Sequence, residues 1–303
     1  MDDFANYLED MRLKLGGAAD ISAEKDIPYG HQFTLLQDGE KVTLTVYNGK
    51  KGRRLVWGGS SGRLAAALQA AVENTAAEPY QQEAKPQGIR AGSDESGKGD
   101  FFGPLVVAAV AVDDKAVDQL RAAGVKDCKQ LTDKKILELE AQIEAEALTY
   151  SVLELKPEAY NLRYEQVRQE GGNLNRLLGY GHIAALTQVL QKQPECRSAL
   201  IDQFTASDAV IRMLTAKFPA TSFRQQPRAE SDMAVAAASV LARAKFLHRM
   251  DALSEQAGFV LPKGGGAAAT EAAQRLLQHF GREALRSYVK LHFANYAKLK
   301  ENK

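Results

Sequence analysis

The run GSDESGKGD at residues 92–100 brings acidic side chains, a lysine and glycines together in one short segment. Its adjacent carboxylates, Asp94 and Glu95, could not both be buried without a cation, because each isolated charge would cost several kcal/mol or take up a proton. A bound divalent metal ion would satisfy both. The glycines allow a sharp turn and the close approach of a phosphate or sugar. The run therefore predicts phosphodiester chemistry, with a solvated acidic turn as the alternative.

Apolar segments on both sides of the acids favour the metal-binding interpretation. Residues 89–93 precede the acids, and the run PLVVAAVAV at 104–112 follows them with the length and composition of a central strand. The acids are therefore expected between two core strands. Gly-Lys-Gly superficially resembles a phosphate loop, but the spacing GxxxxGK[ST] is absent and a strand follows instead of a helix, so an ATPase is disfavoured.

Further acids are placed to join Asp94 and Glu95. Asp202 ends a short apolar run, so it is expected at a strand end in the same sheet. Asp232 begins the alanine-rich segment DMAVAAASVLARAKF, where the dipole of a helix favours an acid, so a capping role is the alternative for this residue. Glu230 competes with Asp232 for the same role, and the sequence leaves that choice open.

Carboxylates from two strand ends and a helix start suit a two-metal mechanism, in which divalent ions about 3.5 to 4 Å apart bracket the attacking and leaving oxygens. Oxygen ligands select hard ions, so Mg2+ is expected, with Mn2+ as the alternative. The five histidines are scattered along the chain. Each of them is expected to be a packing or surface residue instead of a metal ligand.

The composition is that of an ordinary soluble protein, with 303 residues, 45% of them hydrophobic, and a formal net charge of +1. Such a chain can bury a sizeable core and form two domains. Its near-zero charge restricts nucleic-acid binding to local clusters. The polar, acidic start and the lack of long apolar runs predict no secretory signal, no membrane span and a cytoplasmic location. Cys128 and Cys196 lack metal-type spacing and fit reduced thiols.

A polar segment with two prolines, 76–87, is predicted to be a linker between a domain at 1–75 and a domain at 88–303. The first domain is predicted to be a small α+β module with an antiparallel sheet. The segments that indicate it are helices at 2–15 and 63–74, strands at 31–36, 41–47 and 54–57, and hairpin signals at Asp38-Gly39 and Asn48-Gly49.

Four cations are concentrated at one predicted hairpin tip of this module, beside Tyr47 and Trp57. They are Lys50, Lys51, Arg53 and Arg54. Cations with neighbouring aromatic rings suit contacts with phosphates and sugars. The alternative is a solvated turn with a core tryptophan, and only the acids of the second domain make nucleic-acid binding the preferred interpretation.

Strands and helices alternate after the linker. Strands are predicted at 89–93, 104–112, 149–155, 199–202 and 221–224, helices at 132–147, 174–191 and 207–217, and a nearly all-helical region from 232 onwards. The first strands are typical of a hairpin meander, and the later strand-helix-strand units imply parallel neighbours. The fold class is therefore α/β, a mixed sheet with helices on its faces.

Several separated motifs resemble the type 2 ribonuclease H family, and most of all its bacterial ribonuclease HIII branch. The run DESGKGDFFGP at 94–104 resembles the family's acidic signature, and its lysine favours HIII because ribonuclease HII usually has Gly-Arg-Gly there. Other similar segments are Tyr160-Asn161 with Tyr164, 173–175, Gly181-His182, 234–243, 261–264 and 291–295. The resemblance covers the whole predicted catalytic domain.

The resemblance implies a ribonuclease H-like fold and Mg2+-dependent endonucleolytic cleavage of the RNA strand in RNA/DNA hybrids, leaving 5′-phosphate and 3′-hydroxyl ends. It implies that the catalytic and metal-binding acids are Asp94, Glu95, Asp202 and Asp232. One metal, held by Asp94 and other acids, is expected to lower the pKa of the attacking water. The second is expected to stabilise the departing 3′-oxygen.

The resemblance also implies the substrate contacts. The backbone of Gly97, Lys98 and Gly99 matches the segment that reads the ribose 2′-hydroxyl, the group that distinguishes RNA from DNA. Lys129 is available for a phosphate. Residues 1–75 have the size expected of a TATA-box-binding-protein-like substrate-binding domain ahead of the catalytic domain, and the enzyme is expected to act as a monomer.

The sequence departs from the family pattern at DCKQLTD (127–133), where Cys128 replaces the usual serine and a hydroxyl hydrogen bond is expected to be lost. Asn295-Tyr296 replaces a more usual Asn-Thr. Alternative functions are ribonuclease HII-like cleavage at single ribonucleotides embedded in DNA, a DNA nuclease of the same fold class, and a non-catalytic hybrid-binding protein. Gly-Lys-Gly and the N-terminal module argue against the first, and the retained acids argue against the last.

Overall fold

The structure is a computed structural model that describes residues 3–17, 19–37, 40–49, 52–59, 63–73, 88–205, 207–227 and 229–300. The chain divides into two compact units, Met1–Ala84 and Lys85–Lys303. The predicted linker at 76–87 and the predicted turn at Asp38-Gly39 lie outside the described residues. The domain bounds of 1–75 and 88–303 therefore stay a prediction.

The N-terminal unit is an antiparallel sheet with two helices on one face. Its elements are α1 (Asp3–Gly16), β1 (Asp20–Ile27), β2 (Gly30–Gln37), β3 (Glu40–Gly49), β4 (Gly52–Gly59) and α2 (Arg63–Glu73), and the strands pair in chain order. Alternate strand residues such as Phe33 and Leu44 are fully buried and pack with Met11, Leu15 and Leu68 of the helices. The predicted α+β module with an antiparallel sheet is confirmed.

Two local features of this unit differ from the prediction. Strand β1 is missing from the sequence prediction because the segment DISAEKDI, at the edge of the sheet, exposes most of its side chains and lacks apolar alternation. The predicted turn at Asn48-Gly49 is wrong, since these residues pair with Arg53 and Gly52 and complete the ladder between β3 and β4. The two strands therefore extend further than the turn signal indicates.

The second unit is a mixed sheet between two layers of helices. Its elements are β5 (Arg90–Ser96), β6 (Leu105–Val112), α3 (Asp114–Ala123), α4 (Asp133–Glu146), β7 (Thr149–Leu155), α5 (Pro157–Gln169), α6 (Leu174–Lys192), β8 (Ser198–Asp202), α7 (Ala209–Lys217), β9 (Ser222–Gln226), α8 (Met233–Ala257), α9 (Ala267–Ala284, interrupted at Gly281) and α10 (Ala294–Ala297). Helices α3 and α5 are additional to the predicted ones.

The strand order in this sheet is β7-β6-β5-β8-β9. The first three strands pair antiparallel, while β8 pairs parallel to β5 and β9 pairs parallel to β8. A direct connection joins β5 to β6, whereas α3 and α4 lie between β6 and β7 and α7 lies between β8 and β9. The predicted α/β mixed sheet flanked by helices is confirmed.

Strand β6 is buried on both faces, as its nearly unbroken apolar run predicts. Val106 and Val110 pack in the cluster formed with α8, and Val107 and Ala109 pack in the cluster formed with α6. On the α8 side the neighbouring strand approaches the helix closely: a β-carbon added at Gly92 would lie 2.3 Å from the backbone nitrogen of Val235. The alanine-rich helix therefore packs tightly against the centre of the sheet.

None of the helices within the described ranges is both long and apolar enough to cross a membrane.

Candidate active site

The first two acids lie inside a strand. Asp94 and Glu95 belong to β5, opposite Ala108 and Val107 of β6, because the strand continues to Ser96. The expectation that they follow the strand is therefore wrong by a few residues. The antiparallel ladder with β6 supplies backbone partners beyond Ser93, which the polar sequence did not indicate.

Parallel pairing brings a third acid to the same place. Strand β5 runs beside β8 with Ser93 opposite Ile201, so the next residues, Asp94 within β5 and Asp202 at the end of β8, lie side by side on neighbouring parallel strands. This edge of an open sheet is where ligands bind in α/β folds. The two acids converge as predicted, although Asp94 lies within its strand and not at its end.

The third member of the compact acidic group is Glu230. Carboxylate oxygens of Asp94, Asp202 and Glu230 all lie within 4.8 Å of one another. Glu230 belongs to a single 3-10 turn, Ala229–Ser231, that directly precedes α8. The backbone nitrogen of Ala229 donates to Asp202 at 3.1 Å, which ties this turn to the end of β8.

Asp232 makes different contacts. Its carboxylate accepts hydrogen bonds from the backbone nitrogens of Ala234 at 2.8 Å and Val235 at 3.3 Å, which is the N-cap of α8. Its other oxygen lies 4.0 Å from Nε of Arg90. The geometry therefore favours Glu230 as the partner of Asp94 and Asp202, and the catalytic role of Asp232 stays a prediction.

The crowding of these carboxylates perturbs their protonation. Burial, together with the charges of Glu95 and Asp202, raises the pKa of Asp94 well above its ordinary value. Burial and the nearby Glu230 likewise raise the pKa of Asp202. Both shifts mark an unfavourable concentration of negative charge that a cation would relieve.

Glu95 points into a different environment. Its Oε2 lies 3.2 Å from Nε2 of His182, and its Oε1 lies 3.5 Å from Nζ of Lys98. Burial alone would raise the pKa of the Glu95 carboxyl, but the interactions with His182 and Lys98 outweigh it and lower that pKa. The fold therefore stabilises the carboxylate form of Glu95 and orients its side chain.

His182 lies buried behind Glu95. It is 0% exposed, its Nδ1 lies 2.9 Å from Oγ of Ser93, and its ring stacks on Phe204 with centroids 4.8 Å apart. The sequence predicts a packing or surface residue at this position and does not reveal the contact of His182 with Glu95. The one signal was its place in a family-like segment, Gly181-His182.

Lys129 lies at the rim of the site, 69% exposed in its side chain, with Nζ 2.7 Å from Oε1 of Glu230. Its hydrogen bond and charge interaction with Glu230 raise the pKa of the ammonium group. The cleft lined by Lys129, Asp94 and Asp202 has a volume of about 470 Å³ and also contains Asp133 and Arg243. Arg243 donates to Asp133 at 3.3 Å, a pair that the sequence did not single out.

The two glycines of the turn after β5, Gly97 and Gly99, differ in what the structure requires of them. Gly97 has φ +87°, and a β-carbon there would lie 2.1 Å from the carbonyl oxygen of Pro104, so folding itself requires a glycine. At Gly99 an added β-carbon would have no protein atom within 4 Å. Gly97 is thus needed for the turn, whereas Gly99 leaves open space at the cleft, beside Lys98.

Of the four cations predicted at the N-terminal hairpin, the structure describes Arg53 and Arg54. Arg53 and Arg54 are neighbours on β4, so their side chains leave opposite faces of the sheet. The guanidinium of Arg53 lies 4.4 Å from the ring centre of Tyr7 on α1, whereas Arg54 is opposite Tyr47. Lys50 and Lys51 lie outside the described residues.

Trp57 packs against the core of the N-terminal unit. This contact agrees with the alternative interpretation of Trp57 as a core tryptophan and not with an exposed ring available for stacking. The substrate-binding role predicted for the four cations stays a prediction. Arg53 and Arg54 can contact a ligand only on opposite faces of the sheet.

Comparisons with known proteins agree with the geometry of the catalytic unit. The sequence profile of the family described as Ribonuclease HII matches residues 91–296. The ribonuclease HIII of Protochlamydia amoebophila is 41% identical over 67% of this chain and 65% of its own length. The ribonuclease HIII of Bacillus velezensis is 34% identical over 98% of this chain and 95% of its own length. The chain belongs to the ribonuclease HIII family.

The match to a solved ribonuclease HIII extends over both units. The crystal structure of Bst-RNase HIII in complex with Mn2+ aligns with a TM-score of 0.65 at 29% identity, covering 98% of this chain and 95% of that one. The predicted family and fold class, and the assignment to endoribonucleases, are confirmed. The oxygen-only group of Asp94, Asp202 and Glu230 fits a hard divalent cation, which ribonuclease HIII chemistry implies.

Proposed function

We propose that the chain hydrolyses the RNA strand of RNA/DNA hybrids endonucleolytically, giving 5′-phosphate and 3′-hydroxyl ends. The observation that carries this proposal is the compact group of Asp94, Asp202 and Glu230, which lies beside the turn containing Gly97 and Gly99. The likeness to ribonuclease HIII proteins over nearly the whole length, N-terminal unit included, supports HIII-type activity over HII-type activity.

Asp94, Asp202 and Glu230, with Glu95 beside them, are the residues that would hold Mg2+, with Mn2+ as substitute. Divalent ions bound there would supply Lewis-acid stabilisation of the charge that develops at the phosphate. Glu95 is suited to a fixed position because His182 and Lys98 both contact its carboxylate. The four carboxylates supply oxygen ligands, which Mg2+ and Mn2+ prefer.

The remaining side chains of the cleft suit the substrate backbone. Lys98 and Lys129 place ammonium groups at the rim, where phosphates of the cleaved strand would be attracted. Gly99 leaves space for a ribose to reach the backbone of the turn, and a backbone contact to the 2′-hydroxyl would discriminate RNA from DNA.

The N-terminal unit offers a sheet face on the side opposite its helices. By the strand register, Gln32, Thr45 and Val56 share this face, as do Tyr47 and Arg54. Tyr47, Arg54 and Val56 are exposed. Short polar side chains with an arginine and a tyrosine suit sequence-independent contacts to phosphates and sugars. This face, in a TATA-box-binding-protein-like domain, is the proposed hybrid-binding surface of the unit.

A cleavage assay on three labelled duplexes tests the proposal: an all-RNA/DNA hybrid, DNA with one embedded ribonucleotide, and all-DNA, each with Mg2+ or Mn2+. We expect multiple cuts in the RNA of the hybrid and none in all-DNA. Cleavage of all-DNA would identify a DNA nuclease, and cleavage at the single ribonucleotide alone would identify HII-type activity. Binding of the hybrid without cleavage under either metal would identify a non-catalytic binding protein.

A further inference from the structure

Lys290 is a fully buried lysine in the segment between α9 and α10. It is far along the chain from the acidic run at 92–100. Its side chain is 0% exposed. A buried ammonium group is strongly destabilising unless its donors are all matched, so such a residue requires a physical reason. The reason is found in the segment that follows Gly97-Lys98-Gly99.

All three donors of the Lys290 ammonium point at this one segment. Nζ donates to the carbonyl oxygens of Asp100 at 2.9 Å, Phe102 at 3.4 Å and Gly103 at 2.7 Å. An ammonium group has three donors and no acceptor, so this cradle of carbonyls matches it fully. A neutral side chain of the same length would leave these carbonyls without their buried partner.

The backbone around Lys290 holds the same segment. The nitrogen of Lys290 donates to the carbonyl of Phe101 at 2.9 Å, and the nitrogen of Gly103 donates to the carbonyl of Tyr288 at 2.9 Å. Phe102 and Val289 form an antiparallel bridge between these two bonds. The segment 100–103 is therefore fastened by its backbone and by the lysine side chain together.

A second attachment fixes the opposite side of the turn. The carboxylate of Asp100 accepts from the backbone nitrogen of Gly264 at 2.6 Å, and the nitrogen of Phe101 donates to the carbonyl of Gly264 at 3.0 Å. The nitrogen of Asp100 also donates to the carbonyl of Gly97 at 3.3 Å. Anything that holds Asp100 therefore also holds Gly97 and, between them, Lys98 and Gly99.

We propose that Lys290 is a positioning residue for substrate specificity: through its three carbonyl bonds it holds the turn 97–99 in the conformation that reads the ribose. Lys290 itself touches neither the carboxylates nor the cleft. The inference rests on the proposed function, because it assigns to Lys290 the preorganisation of that function's ribose contact. Precise geometry at such a contact depends on the groups that support it.

Lys290→Met tests the inference, with Arg249→Met as the matched control, since the latter removes a cation from an ion pair with Glu154 of β7 in which the turn takes no part. Affinity for a hybrid and for an all-DNA duplex of the same sequence is measured in EDTA, which prevents metal-dependent cleavage. For Lys290→Met we expect the hybrid-to-DNA affinity ratio to fall about tenfold, because displaced recognition groups lose contacts of that size. Arg249→Met is expected to lower the melting temperature and to leave the ratio unchanged.

Hydrogen exchange of the amides at 97–103 gives a second readout. A general loss of stability would speed exchange in many parts of the protein and not only at the turn. Faster exchange there in Lys290→Met than in Arg249→Met supports the inference. If Lys290→Met does not fold, Asp100→Ala releases the other attachment of the same turn, and the same fall in the affinity ratio is expected. An unchanged ratio in the folded variant, with exchange no faster than in the control, overturns the inference.

The outcome also separates this inference from the proposed function. If the wild-type protein neither prefers the hybrid nor cleaves it, the proposed function is wrong. If the wild type does both and the Lys290 variant keeps the same preference, only the role of Lys290 is wrong.

Discussion

Two carboxylates of the catalytic unit, the buried Asp94 and the partly buried Glu154, have opposite surroundings. Asp94 is 6% exposed, faces other acids, and has its pKa raised by burial and by the charges of Glu95 and Asp202. Glu154 on β7 has 11% of its side chain exposed and accepts from both Nε and Nη2 of Arg249. Burial would raise the pKa of Glu154, but the charge and hydrogen bonds of Arg249 outweigh it and lower that pKa.

The difference shows how one residue type serves structure in one place and chemistry in another. Glu154 has its cation within the fold, with Lys245 also 3.6 Å away, so its burial stabilises the protein without a ligand. Asp94, Glu95, Asp202 and Glu230 carry more negative charge than Lys98 and Lys129 balance. An uncompensated group of this kind is the signature of a site whose missing cation comes from outside the chain.

The largest effect that tests this contrast is expected from Asp94→Asn. It should reduce hybrid cleavage by about a thousandfold or more, because a charged oxygen ligand is lost from the reacting centre. Its melting temperature should stay the same or rise, since removing one of several crowded charges relieves repulsion. Initial rates and thermal unfolding measure both. Cleavage close to wild type, or a marked loss of stability, would contradict the contrast; Asp202→Asn provides an independent repeat.

The second test decides which acid completes the group. Glu230→Gln is expected to reduce cleavage by about a thousandfold, as it removes a charged oxygen next to Asp94 and Asp202. Asp232→Asn keeps a good N-cap for α8, so we expect it to reduce cleavage less than about tenfold. Each variant replaces one carboxylate with the corresponding amide, and the two variants are assayed side by side. The opposite ranking would assign the fourth catalytic acid to Asp232.

The third test concerns the support behind Glu95. His182→Ala is expected to lower kcat by about ten- to a hundredfold with little change in KM, because groups that orient a metal-binding side chain have effects of this size. His182→Gln retains a donor and should recover part of the loss. The split between kcat and KM distinguishes positioning from a change in substrate affinity. Equal kcat in all three proteins would show that Glu95 keeps its orientation without the histidine.

The smallest effect is expected from a change at Glu154, the carboxylate whose cation lies within the fold. Glu154→Gln should lower the free energy of unfolding by about 1 to 2 kcal/mol, because charge-assisted hydrogen bonds to Arg249 are lost. Its cleavage rate should equal that of the wild type. Urea unfolding gives the stability and the hybrid assay gives the rate. A fall in rate larger than about twofold would show that Glu154 is coupled to the site.

The same pair predicts a pH dependence with a definite sign. The pKa of Glu154 is lower in the folded protein than its ordinary value of 4.5, so its stabilising contribution is present above that value. The contribution is lost as pH falls below 4.5 and through the folded pKa. The stability difference between wild type and Glu154→Gln should therefore shrink under acid, and a difference that stays constant would contradict the pairing.

Much of the catalytic unit follows from local pattern. The unbroken apolar run of β6 predicts a strand buried on both faces, and the alanine-rich α8 predicts the close contact that Gly92 makes with Val235. Where the pattern was weak, the prediction failed. The edge strand β1 lacks apolar alternation because most of its side chains face water. The continuation of β5 through Asp94 and Glu95 depends on the partner strand and not on propensity.

The sequence by itself determined the family, the α/β class and the central acids, because the spacing of acids, glycines and apolar runs is local and needs no knowledge of distant contacts. Only the tertiary structure placed Glu230 beside Asp94 and Asp202, His182 behind Glu95, and Lys290 beneath the glycine turn. These partners come from distant parts of the chain. Their meeting is decided by strand pairing and helix packing, which bring together groups that no local pattern relates.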